Sequence, residues 1–194
     1  LMGQGSGVLY LIYNCDNDSN VASLNELQLF CETHKINAGV SLPFKGLQYV
    51  YYAVLQTDAV LALPSYVFPA KNNSLSRCFA ASFKQYASLC LLHAESDLRD
   101  EIIGFLVEHN PLTSIAADDT KTSGSTMSFI SLYLRSFGSA VSVANALGFH
   151  RNSIYNKIAR IKKCYGIDLT SEVDRAFVAL LLDLMTLSGK RSGI

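Results

Sequence analysis

The sequence predicts a mainly α chain with a short α/β piece at its N-terminal end, on three observations. Short β-rich apolar runs alternate with helical rhythms only before residue 64. Beyond residue 76 nearly every apolar repeat has helical spacing. In 194 residues, 49% hydrophobic against 16% charged is enough to bury a core and excludes intrinsic disorder.

The elements follow in order. Gly3 to Gly7 is a flexible lead-in. Val8 to Tyr13 is a continuous β-forming run, read as a buried strand, and Asn14 to Asn20 reads as a turn. Val21 to His34 is a helix, with Leu24, Leu27 and Cys31 at helical spacing. Ile36 to Leu42 is a second strand ending at Pro43, and Lys45 to Leu63 a second helix ending at Pro64. Strand–helix–strand–helix is an α/β signature, here long enough for about half of a typical sheet domain. Pro64 to Ser76 reads as a loop. Helices are then expected over Ser82–Leu92, Asp97–Val107, Thr126–Phe137, Ala140–Leu147, Arg151–Cys164 and Glu172–Leu187, with the polar stretch Thr113–Ser125 as a connecting loop.

Several function classes lose support early. Five cysteines, scattered and with no C-x-x-C pair, exclude a disulfide scaffold and favour a reducing cytoplasm. The longest apolar stretch, Val50 to Ala70, is interrupted by Asp58, Pro64 and Pro69, so no membrane partner is expected. The first residues lack the pattern of a signal peptide, and a start at Leu1 reads as a piece of a longer protein. Cys31 and His34 form half a zinc-type spacing with no second pair, so no metal or other cofactor is expected. The Gly3–Gly7 run precedes a strand where a phosphate loop would follow one. Gly39 to Pro43 lacks the final Gly of a nucleophile elbow, and His93 and His109 stand alone. The chain is not read as an enzyme.

The last third carries a sharper pattern. A helix-turn-helix needs a small residue where two helices cross, a turn Gly that accepts positive φ, and apolar pins on both helices. Ala144 and Gly148 supply the first two; Val143, Leu147, Phe149 and Ile154 are the expected pins. At about 100° per residue, Ile154, Ile158, Ile161 and Tyr165 share one stripe of the second helix. Asn152, Asn156, Ala159 and Lys163 fall opposite, flanked by Tyr155 and Arg160. Amide and basic side chains around a small Ala suit close approach to base edges.

Charge points the same way. Residues 120–167 hold seven basic residues (Lys121, Arg135, Arg151, Lys157, Arg160, Lys162, Lys163) and no acidic one. The rest of the chain then has nine basic against sixteen acidic residues, a net −7 inside a neutral whole. Positive charge concentrated on one helical module is the electrostatic footprint of a DNA binder. The last helix opens on a capping box, Ser171-Glu172-Val173-Asp174. It carries two apolar stripes, one of Val173, Phe177, Leu180, Leu181 and Leu184 and one of Val178, Leu182 and Met185; the second is either core or a dimer surface.

The block His150-Arg151-Asn152-Ser153-Ile154-Tyr155-Asn156-Lys157-Ile158, then Arg160-Ile161 and Gly166-Ile167-Asp168-Leu169, resembles the C-terminal helix-turn-helix of the PucR/CdaR family of bacterial regulators. That family's signature runs close to H-R-N-T-L-x-Y-R-L-x-R-I, then G-x-D-L and a long apolar helix. Ser153-Ile154 stands here for Thr-Leu, and Asn156-Lys157 for Tyr-Arg. Upstream, Asn110-Pro111-Leu112 and Met127 to Phe137 are similar to further family segments. Ala38 to Leu47, with Ala53, Ala59 and Ala62-Leu63, is similar to its GGDEF-like domain. No Gly-Gly-Asp-Glu-Phe motif occurs, so the resemblance implies no cyclase activity.

The resulting expectation is a truncated GGDEF-like βαβα remnant over 1–92 and an all-helical helix-turn-helix domain over 93–194. The resemblance implies a cytoplasmic transcriptional regulator that binds double-stranded DNA. A homodimer is expected, controlled by a small-molecule effector through a region outside the chain. Asn152, Ser153, Tyr155, Asn156 and Arg160 are the expected groove contacts; His150, Arg151, Lys157 and Lys163 are the expected phosphate contacts. The alternatives are an interaction module that no longer reads DNA, and a nucleotide-processing remnant disfavoured by missing acidic metal ligands.

Overall fold

The computed structural model describes residues 8–12, 20–64, 67–68, 78–122 and 124–189. Helix α1 (Asn20–His34) leads into strand β1 (Ala38–Val40), and after a 3-10 turn at Leu47–Tyr49 comes α2 (Val50–Leu61). Strand β2 (Ala80–Ser82) pairs in parallel with β1, Ala38 opposite Ala80 and Val40 opposite Ser82. A parallel pair needs a crossover, and α2 provides it. The strand–helix–strand–helix order is therefore present, but it starts at β1, two elements later than the sequence suggests.

Three residues make so small a sheet viable. Gly39 lets α2 close on β1: a Cβ there would lie 2.8 Å from the Thr57 carbonyl oxygen. Buried Gln56 accepts from the Leu42 N–H at 2.9 Å, satisfying the backbone where β1 ends. On the far edge of β2, Gln28 of α1 accepts from Ala80 N–H at 2.7 Å and donates to the Cys78 carbonyl at 3.1 Å. A side-chain amide thus fills the place of a third strand. Within the run expected to be a buried strand, residues 8–12 are irregular and exposed, with Leu9 81% accessible. Tyr10 is tied down by donating to Asp58 Oδ1 at 2.7 Å. Tyr13, residues 14–19, Gly3–Gly7 and most of the loop expected at Pro64–Ser76 lie outside the described residues; Asn20 opens α1.

Six helices follow: α3 (Phe83–His93), α4 (Ser96–Glu108), α5 (Pro111–Thr122), α6 (Thr126–Arg135), α7 (Ala140–Leu147) and α8 (Arg151–Tyr165), with α9 (Glu172–Leu187) after them. Helix α5 occupies most of the stretch expected to be a loop. Its start is fixed by buried Asn110, which accepts from the Leu112 N–H and donates to the Leu106 and Val107 carbonyls. That one amide closes α4 and caps α5. Pro111 suits a first helical position, and Leu112 and Ile115 are buried.

One apolar core runs from Val60 and Phe83 through Ile102, Leu106 and Ile130 to Ile158 and Leu181. Helix α9 packs on α3 and α4. Its second stripe, Val178, Leu182 and Met185, is buried within the chain, so it is core and not a dimer surface. The capping box at its start is half formed. Ser171 Oγ accepts from the Asp174 N–H at 3.3 Å, but the Asp174 carboxylate turns to Lys84 Nζ and the Asp168 N–H instead of back to Ser171. No described helix is long and apolar enough to cross a membrane.

Candidate nucleic-acid interface

The site is built on α7 and α8. Ser139 caps α7, its hydroxyl accepting from the Ser142 N–H at 3.2 Å. At the other end Gly148 takes φ 67°, the Gly148 N–H reaches the Asn145 carbonyl, and the Phe149 N–H reaches the Ala144 carbonyl at 3.0 Å. This is a Schellman ending, and the left-handed residue it requires is cheap only for Gly. His150 then caps α8: its Nδ1 accepts from the Asn152 N–H at 3.2 Å, leaving the imidazole proton on Nε2.

Val143 and Ala144 of α7 and Ile154 of α8 are buried where the helices cross. Two of the expected pins are not pins. Leu147 is 40% and Phe149 60% exposed, because the Schellman turn is closed by backbone bonds and carries both side chains outward. Ile154, Ile158 and Ile161 are all buried, and Tyr165 is half-buried with its hydroxyl donating to Asp118 Oδ2 at 3.0 Å. The core stripe of α8 is as the spacing predicts.

Opposite it, Asn152, Ser153, Tyr155, Asn156, Ala159, Arg160 and Lys163 are exposed together, with Arg151 and the capping His150 beside the first turn. Among the described residues Arg151, Arg160 and Lys163 have no ion-pair partner. Lys157 stands apart. It is half-buried on the flank of the core stripe, its Nζ 4.7 Å from the Phe129 ring centroid. Burial first, then the neighbouring Arg160 charge, pushes its ammonium pKa down. Lys162 is also engaged, donating to Asp168 Oδ2 at 2.7 Å. The surface thus offers amides, a phenol and guanidinium and ammonium groups, a donor-rich set suited to base edges and phosphates. Among the described residues no cluster of three His, Cys, Asp or Glu could hold a metal ion.

The turn after α8 is stiff. Asp168 accepts from Lys162 Nζ, from the Thr170 N–H at 3.0 Å and from the Thr170 hydroxyl. Partial burial pushes its pKa up, but the Lys162 and Thr170 hydrogen bonds outweigh it and hold the carboxyl at about 2. The folded pKa lies below the unfolded one, so the stabilisation is present above pH 4 and fades as pH falls towards 2. Its partner Lys162 is more than half exposed, so solvent screening leaves about 1 kcal/mol of that stabilisation. Asp168→Asn is expected to lose roughly that much at pH 7 and to show a flatter stability profile between pH 4 and 2. Urea unfolding across pH checks this; parallel profiles for parent and variant would refute it.

Residues 127–184, from α6 to near the end of α9, match the family model of the PucR C-terminal helix-turn-helix domain. The segment holding the exposed face is therefore similar to a helix-turn-helix domain of that kind. No curated protein sequence matches the chain. Among solved structures, the regulator of polyketide synthase expression from Bifidobacterium adolescentis is similar to it. Identity is 17% and TM-score 0.48, over 82% of this chain and 60% of that one. The chain thus spans under two thirds of that protein's length.

Proposed function

We propose that the chain is part of a bacterial transcriptional regulator that binds double-stranded DNA by laying α8 in the major groove. The observation that carries this reading is the outward face of α8. Asn152, Asn156 and Arg160 stand exposed, opposite a buried isoleucine stripe, in a stretch of seven basic and no acidic residues. Asn can pair bidentately with adenine and Arg with guanine. Arg151 and Lys163 flank these side chains as phosphate contacts. His150 presents Nε2–H to a phosphate while its Nδ1 holds the cap. Lys157 is the weakest of the proposed contacts, because reaching a phosphate means leaving Phe129.

In this reading the protein is a cytoplasmic homodimer and not an enzyme. A small-molecule effector acts through a region outside the chain. The piece over 1–92 is the truncated GGDEF-like part and 93–194 the DNA-binding part. That division is one of roles, since the core is continuous across residue 92. Two-fold pairing doubles the few base pairs that one helix-turn-helix contacts.

Selection of bound fragments from random duplexes tests the reading and reports half-site spacing, hence dimerisation. On the selected duplex, Arg160→Ala and Asn156→Ala are expected to lose about 1–3 kcal/mol of discrimination against a scrambled duplex. Lys163→Ala should weaken binding to both and lower the salt slope by about one. Fluorescence anisotropy across a salt series measures all three. If folded Arg160→Ala and Asn156→Ala discriminate as the parent does, the outward face is not the reading face. A parent that binds no duplex at low salt would turn the reading to a protein-interaction module.

A further inference from the structure

Two carboxylates in series join the first half of the chain to the end of the candidate recognition helix. Asp174, in the first turn of α9, is buried and divided between two partners. One oxygen takes Lys84 Nζ at 2.7 Å and the other takes the Asp168 N–H at 2.9 Å. The Asp168 carboxylate in turn takes Lys162 Nζ, from the last turn of α8. Lys84 lies outside the 127–184 domain, in the first turn of α3, two residues after Ser82, which ends β2 and caps α3.

The geometry gives each bond a distinct role. The apolar face of α9 holds it on α3 and α4 whether or not Lys84 is charged. Burial of that kind is non-directional and tolerates small slides and rotations. The ion pair is directional and largely desolvated, with the Lys84 and Asp174 side chains 33% and 12% exposed. Without the ammonium, a nearly buried carboxylate would be left short of a partner and would turn towards water, releasing the Asp168 N–H. The next link, Asp168 to Lys162, sits on α8 itself.

We propose that Lys84 is a positioning residue for α8: through Asp174 and Asp168 it fixes the Gly166–Leu169 turn, and displacement of the β2–α3 junction alters how α8 meets DNA. The consequence for DNA rests on the proposed function; the positioning itself does not. A signal arriving in the α/β piece has a polar route to the reading face, since the junction that carries Lys84 also ends one strand of the sheet.

The test uses the full chain with Lys84→Met and Lys84→Arg, read by amide hydrogen exchange and by duplex affinity. In Lys84→Met the Asp168 amide is expected to exchange about tenfold faster, as for local opening, while core amides of α4 and α6 keep their protection. Lys84→Arg should restore the parent rate. Duplex affinity should fall about fivefold in Lys84→Met, the low end of ordinary coupling between sites, and recover in Lys84→Arg. An unchanged Asp168 rate, or a rise shared by the whole core, overturns the proposal. A faster Asp168 amide with unchanged affinity overturns its link to DNA. If the parent binds no duplex, the function proposed above fails, and the exchange measurement still decides whether Lys84 positions the turn.

Discussion

Ile158→Ala is expected to cost about 3 kcal/mol, within the 2–5 kcal/mol of a large-to-small change in a well-packed core. Ile158 is buried at the middle of the stripe that faces inward from α8, between Ile154 and Ile161. Helices α7 and α5 pack against α8. The backbone of a helix cannot move in to fill the gap without also shifting its neighbours on the stripe. In a domain whose whole stability is about 5–15 kcal/mol, such a loss leaves the helix-turn-helix loosened at growth temperature. Urea unfolding and the melting temperature measure it. Asn156→Ala, two residues away on the exposed side, serves as the control and should stay within about 0.5 kcal/mol of the parent. Equal stability for the two variants would mean that the helix is turned the other way and that the reading face is misassigned.

Asn110→Ala should be nearly as damaging, at about 2–3 kcal/mol, because it leaves a buried N–H and two carbonyls with one partner fewer each. The loss should have a local signature. Helix α5 starts at this amide and has only Leu112 and Ile115 buried to hold it. Circular dichroism should show a small fall in helix content before the main transition, and hydrogen exchange should place it at residues 111–122. A variant that unfolds within 0.5 kcal/mol of the parent would show that water replaces the Asn110 side chain at no cost.

That amide also shows where sequence reading stops. Helices α7 and α9 have the limits expected of them because their signals are local: Ser139, Gly148 and Ser171 lie at the ends of strongly periodic runs. Helix α5 has polar residues at most positions, and its start signal bonds backwards to α4, so Thr113–Ser125 reads as loop. Strand β2 is three small residues without β-branching, and nothing local marks it. Conversely, Val8–Ile12 has strand composition, yet it pairs with no described strand and is tied down through Tyr10 to Asp58, forty-eight residues away. Which face of α8 points outward followed from its period alone. The inward lean of Lys157 did not, because at its position on the flank only Phe129, on another helix, decides which way it turns.

The burial of Val178, Leu182 and Met185 against elements far earlier in the chain also constrains how the protein is made. Helix α9 leaves the ribosome after every other described element, so α3 and α4 wait for it with an apolar seam uncovered. At about 5–20 residues per second, the roughly 80 residues from Glu108 to Leu187 take about 4 to 16 s to synthesise. Apolar surface left open for that long is prone to aggregate, and a product truncated before α9 is expected to keep it exposed. A chain that stops short of Met185 leaves that seam of the core uncovered.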